Sequence, residues 1–283
     1  MGDRTEDWVS TFLGATDGQA VFAPILPLDF HDQSDYINSI DEQADEIAGL
    51  AFYDSNLLPD IPATTSLSNL PRLSLDEPIS PHHILRQVSL GMDVFTIPFI
   101  NFATDAGIAL TFVFPHPPKI EAPSKTSSDV LPLGLDMWTS AHATSTIPII
   151  PDCKCYTCIS HHIAFIQHLL AAKEMLGWIL IQIHNHHILS QFFTAVRESI
   201  KNGTFEADSE EFARAYEPEL PAKSGQGPRV RGYHYKSEAN QAKKNEKPWT
   251  ADLSTDDNPD VEVIPDVGAA ELEDKGFAKK VCK

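Results

Sequence analysis

Apolar residues along this chain fall into short runs whose spacing alternates between the helical and the strand period. Residues 8–13 have helical spacing, and residues 20–26 read as a strand. Across residues 35–50, Ile37, Ile40, Ala44, Ile47 and Ala48 share one face, which predicts an amphipathic helix. A buried strand over 49–53, a Pro/Ser/Thr loop over 59–69 and another strand over 71–75 follow. Ser80 and Pro81 start a helix as cap and first-turn proline; it carries Ile84, Leu85, Val88 and Leu90 and stops at Gly91. Residues 93–97 then read as a further buried strand. Strands alternating with helices at this spacing predict an α/β fold, with a parallel sheet and helices outside it. The pattern alone leaves a doubly wound sheet and a (β/α)8 barrel equally open.

From 114 to 150 the chain is rich in Pro and Ser, and it reads as a long loop with short strands, most apolar over 131–138. Ile163, Ile166, Leu169 and Leu170 then mark a helical face within 161–176. Residues 178–181 read as a helix turn or a brief strand. A long helix follows with Leu189, Phe192, Phe193, Val196 and Ile200 in one stripe. Beyond Thr204 apolar periodicity fades, and residues 205–283 are expected to be mostly disordered, because such composition buries too little surface to offset ordering entropy.

The chemistry concentrates where the periodicity pauses. Three of the four cysteines, Cys153, Cys155 and Cys158, fall within six residues. Structural zinc takes four such ligands in a tetrahedron, commonly Cys thiolates completed by His. The alternative is three buried free thiols. Among the nearby histidines, His161 and His162 sit too close to Cys158 to close a well-shaped loop, and His168 falls mid-helix. His184 opens the next helical run, with His186 and His187 beside it, so spacing alone leaves the fourth ligand open. Cysteines spaced for a metal suit a reducing compartment better than a disulfide framework; Cys282 has no evident partner.

Charge narrows the partners. The net charge is -19 over 283 residues, which argues against a free-standing nucleic-acid binder. Residues 1–80 hold fifteen acids against two bases, whereas 223–247 hold seven bases against two acids. No run of eighteen apolar residues predicts a membrane span, and the acidic start reads as lacking a secretory signal core.

The C-x-C-x-x-C pattern, followed by twenty-five residues and His184-Asn185, resembles the zinc site of tRNA-guanine transglycosylases, also called queuine tRNA-ribosyltransferases. Gly49-Leu-Ala is similar to that family's base-binding Gly-Gly-Leu. Residues 91–96, Gly-Met-Asp-Val-Phe-Thr, are similar to its Gly-Ile-Asp-Met-Phe-Asp. The resemblance spans roughly residues 8–203. It implies a TIM-barrel-like fold lacking its first strands (1–150), a zinc-binding helical subdomain completing the barrel (151–204) and a tail (205–283). It also implies one structural Zn2+ on Cys153, Cys155, Cys158 and His184.

Family catalysis uses the last aspartate of that second motif as nucleophile, a position Thr96 holds here. Asp93 and Asp105 are the nearest other carboxylates in sequence. With residues 135–138, 140–143 and 155–162, the departure resembles the family's non-catalytic branch. The implied role is pairing with a catalytic subunit that exchanges guanine for queuine at the wobble position of tRNAs with GUN anticodons, tRNA being reached through the complex. No catalytic residue and no integral span are implied. The implied location is the cytoplasm, with peripheral association with the mitochondrial outer membrane as in some relatives. A self-sufficient transglycosylase using another carboxylate and a zinc-stabilised scaffold without a tRNA role are the rival expectations.

Overall fold

The structure, a computed structural model, describes residues 2–16, 21–62, 65–117 and 130–228. Helix α1 (Gly2–Thr16) leads into β1 (Phe22–Ile25), α2 (Ser34–Glu42), β2 (Gly49–Phe52) and β3 (Arg72–Ser74). Then come α3 (Pro81–Leu90), β4 (Val94–Phe95), α4 (Phe99–Ala106), β5 (Ile108–Leu110) and β6 (Gly134–Asp136). Four helices close the described chain: α5 (Tyr156–Ser160), α6 (Ile163–Ala171), α7 (Met175–Asn202) and α8 (Phe205–Ala215).

Strands β1 to β4 pair in sequence order and all in parallel. Right-handed crossovers that always advance one strand put their helices on one face of the sheet. A doubly wound sheet instead reverses its order at a switch point. The observed order therefore settles the ambiguity of the sequence pattern in favour of an arc of the barrel type. Strands β5 and β6 form a separate antiparallel pair.

Several expectations are corrected. The amphipathic helix over 35–50 stops at Glu42 and gives way to a 3-10 turn, Ala44–Glu46, before β2. The strand over 93–97 shrinks to Val94–Phe95, with Val94 exposed rather than buried. Helix α3 begins at Pro81 after Ser80, whose hydroxyl makes no capping bond; it ends on Gly91, whose φ of 105° needs glycine. Residues 178–181, read as a helix turn or a brief strand, are helical and lie inside one 28-residue helix, α7, so His184 sits mid-helix rather than at a helix start.

Residues 205–215, expected in the tail, form α8. Its Phe212 is fully buried, and Leu131 bonds to the Ala215 carbonyl and to the Glu217 amide. Residues 229–283, including most of the basic stretch and Cys282, lie outside the described residues.

Among the described residues three apolar cores result. One lies between the sheet and α1 and α2, with Ile25, Ile40, Leu50 and Phe52 at its centre. The second joins α3, α4, β5, α8 and the last half of α7 through Phe112, Phe114, Phe192 and Phe212. The Phe112 ring meets Phe192 and Phe212 edge-on with centroids 5.6 and 6.0 Å apart, and such pairs add about 0.5–1.5 kcal/mol each beyond burial. The third packs α6 and the first half of α7 around the cysteines.

Candidate metal centre

The cysteines arrive on a loop that turns into α5. Cys153 is tied by its amide to the Ile150 carbonyl, 3.3 Å away. Cys155 caps α5: its sulfur accepts the amide of Cys158 at 3.3 Å, which orients both thiols inward. Thr157 anchors this short helix by donating its hydroxyl to the Leu180 carbonyl of α7, 2.7 Å away. One turn further along α7, His184 points its Nδ1 at all three sulfurs: 3.9 Å to Cys153, 3.5 Å to Cys155 and 3.4 Å to Cys158. The four ligand atoms lie within 4.8 Å of one another and could hold one metal ion.

The fit can be tested by geometry. A tetrahedral ion with bonds of about 2.3 Å to sulfur and about 2.0 Å to nitrogen separates those ligands by roughly 3.5 Å. The observed sulfur–nitrogen distances bracket that value, so the residues fit such an ion.

The second ring nitrogen settles the tautomer. His184 Nε2 lies 2.9 Å from the Leu110 carbonyl and donates to it, which leaves the Nδ1 lone pair facing the sulfurs. Burial also lowers the His184 pKa to about 4, so the ring is neutral at ordinary pH. Burial pushes the Cys158 thiol up to about 12 and raises that of Cys153 as well. A cation among these sulfurs reverses the preference by stabilising the thiolates. Of the other candidate histidines, His162 accepts the Phe165 amide at the start of α6, and His161 stacks on Phe165 with centroids 5.0 Å apart. His168 and His186 are exposed. Among the described residues only His184 joins the cysteines.

Asn185, part of the matched motif but given no role from sequence, fixes the site to the fold. Gly107 and Thr111 bond across to Met137 and Leu133, which leaves the groups of Ile108 and Leu110 facing the other edge of β5. Asn185 satisfies that edge. Its Oδ1 accepts the Leu110 amide at 2.8 Å; its Nδ2 donates to the Ile108 carbonyl and to Thr104 Oγ1, both at 3.0 Å. Together with the His184 bond, two helix side chains stand in for a neighbouring strand. A polar pair inside an apolar helix run was the available signal.

The remaining candidate positions lie elsewhere. Thr96, at the end of β4, is exposed, and both its amide and its hydroxyl lie 3.3 Å from the Ser74 carbonyl. Asp93 accepts the Arg72 amide at 3.0 Å. Asp105 sits at the end of α4; burial raises its pKa, and Lys223 opposes that shift. Gly49 has a packing reason to lack a side chain: a Cβ there would come within 2.4 Å of the Phe22 ring and 2.5 Å of the Pro71 carbonyl.

A sequentially ordered parallel arc carrying a Cys3His group that could hold a metal ion defines an α/β protein of the barrel type. The chain belongs to the queuine tRNA-ribosyltransferase (TGT) family, whose model matches residues 1–218. It is 38% identical over 259 residues to the queuine tRNA-ribosyltransferase accessory subunit 2 of Schizosaccharomyces pombe, covering 87% of this chain and 56% of that protein. Its likeness to the accessory subunit 2 of Ixodes scapularis is 34% over 122 residues, or 42% of this chain and 30% of the relative. A queuine tRNA-ribosyltransferase of Dehalococcoides mccartyi is 38% identical over 84 residues, 30% of this chain and 21% of that protein. The chain thus spans about half the length of the fission yeast relative and less of the others. The resemblance to the accessory branch is borne out by the fission yeast and Ixodes relatives, both named accessory subunit 2.

Proposed function

We propose that this chain serves as the non-catalytic partner in a heterodimeric queuine tRNA-ribosyltransferase. In that complex a catalytic homologue exchanges guanine for queuine at the wobble position of tRNAs with GUN anticodons. The observation that carries the reading is the 38% identity, over 87% of the chain, to a protein named an accessory subunit; the motif resemblance, which puts Thr96 where catalytic relatives carry aspartate, supports it. Glycosyl exchange needs a carboxylate to hold the ribose carbon while the bases trade places. Thr96 offers a neutral hydroxyl set against the Ser74 carbonyl, and no carboxylate is among its hydrogen-bond partners.

Zinc is the proposed metal, bound by Cys153, Cys155, Cys158 and His184; when bound it supplies folding energy to the knuckle rather than chemistry. Cys155 and Cys158 hold α5 against α7, and His184 ties that assembly to β5. The proposed docking face for the catalytic subunit is the outer side of the knuckle and of the first half of α7. There Tyr156, Ile159, Leu176, Ile179 and Ile183 are exposed, Ile159 by 69%. The apolar pair Phe192 and Phe193 does not serve. Phe192 is 2% exposed, and Phe193 packs against the same aromatic core.

With its strongly acidic first third, the chain would meet tRNA through the complex. None of the described helices is long and apolar enough to cross a membrane; the cytoplasm, with peripheral attachment to the mitochondrial outer membrane, is the proposed location. The test is a pull-down of the chain followed by an assay of labelled guanine or queuine exchange in the eluate. A captured catalytic homologue, with exchange that requires both chains, supports the proposal. Turnover by the purified chain alone would favour a self-sufficient enzyme, and capture of no catalytic homologue would favour a scaffold without a tRNA role.

A further inference from the structure

The four residues of the knuckle are not equally protected. His184, Cys155 and Cys158 are buried, and each is held by a side-chain bond or by its place on a helix. Cys153 is only half-buried and lies on a loop. It also lines a cavity of about 180 Å³ whose floor is apolar, formed by Phe112, Phe192 and Ile188. Val113, Asp152 and Gln191 line the same cavity and are exposed, which sets its mouth. The longest of the three sulfur–nitrogen distances, 3.9 Å, is also that of Cys153.

We infer that this cavity is the route by which small thiol-reactive and chelating molecules reach the metal site, and that Cys153 is the ligand that exchanges first. The inference rests on the reading of these residues as a metal site. Reactivity of a cysteine follows its access as well as its ionisation, and the other two sulfurs are shielded by α5, α6 and α7. An incoming ligand of a few heavy atoms fits the cavity; a protein donor does not.

The test uses full-length, zinc-loaded protein with Cys282→Ser as background, treated with iodoacetamide while a chromogenic chelator reports released metal. Alkylation forms an Sγ–carbon bond, expels iodide and leaves a neutral thioether that binds a metal poorly. Peptide mapping should find Cys153 modified about tenfold faster than Cys155 or Cys158, with metal release following Cys153 labelling. Val113→Trp, at the mouth, should slow both about tenfold without changing the metal content. First labelling at Cys155 or Cys158 overturns the inference. So does release at the rate of global unfolding followed by circular dichroism, or a Val113→Trp protein that exchanges at the original rate. Protein that carries no metal by elemental analysis refutes the metal reading itself, an outcome distinct from the others.

Discussion

Replacing Asn185 by alanine should be among the most damaging single changes outside the metal ligands. The side chain is fully buried and makes three hydrogen bonds to β5 and α4. Its removal leaves the Leu110 amide and the Ile108 carbonyl facing a buried space without partners. Each such orphan costs about 1–3 kcal/mol, so the two together amount to roughly 3 kcal/mol if some water enters. That is a large share of the roughly 5–15 kcal/mol by which domains are stable. The measurement is denaturant unfolding of wild type and Asn185→Ala, each with and without chelator, with coincident fluorescence and circular dichroism transitions. A loss below about 1 kcal/mol would show that the β5 edge finds other partners and would refute the argument. Asn185→Asp supplies an internal check. Burial and the facing Ile108 carbonyl would raise the folded pKa of that aspartate above its unfolded value of about 3.9. Its ionisation penalty is therefore absent below the unfolded pKa and grows as pH rises toward the folded one.

His184→Ala should abolish stoichiometric zinc binding while His186→Ala keeps it, as read by elemental analysis; the reverse result would mean the ligand is misassigned. Ile183→Glu should prevent co-purification with a catalytic subunit while zinc content stays normal, checked by size-exclusion chromatography of the mixed chains. His82, whose ring nitrogens are buried without partners beside Phe212, has its pKa lowered by burial and then by His83. Its depressed folded pKa means stability is present above the unfolded value of about 6.5 and is lost as pH falls below it. His82→Phe should therefore raise the melting temperature, and by more at pH 5.5 than at pH 8. Gly49→Ala should cost about 1–3 kcal/mol by overpacking against Phe22 and Pro71, measured by thermal unfolding.

What could be read from sequence was whatever rested on local chemistry. The cysteine spacing located the knuckle because three thiols converge within a few residues, and Gly91 marked the end of α3 because only glycine suits that backbone. The strand–helix alternation gave the parallel sheet but not its order, which is a property of pairing between distant segments. Strand β5 escaped notice, and β6 was covered only by the expectation of short strands within 114–150, because three-residue strands carry no period and their pairing partners lie 24 or more residues apart. His184 read as the opening of a helical run; it lies mid-helix because His184 and Asn185 find partners on the cysteines and on β5, so the polar residues do not interrupt α7. Helix α8 lies where apolar periodicity fades and was expected in the disordered tail. Glu206 and Asp208 lie in its first turn, where the helix dipole favours them. Asp208 also accepts bonds from Ser199 and Thr204, while Phe212 enters the aromatic core.

Helix α7 belongs to two cores at once. Its 28 residues extend about 42 Å; the first half closes the metal knuckle, and the second half carries Leu189, Phe192 and Val196 into the aromatic cluster. Such a beam has no inexpensive place to bend, because opening a helix in its middle sacrifices hydrogen bonds on both sides of the break. The knuckle is therefore not a module that can be grafted, trimmed or retuned alone. A change that alters how the cysteines sit also tilts the rod that the phenylalanines grip, so the two regions are bound to drift together as sequences diverge.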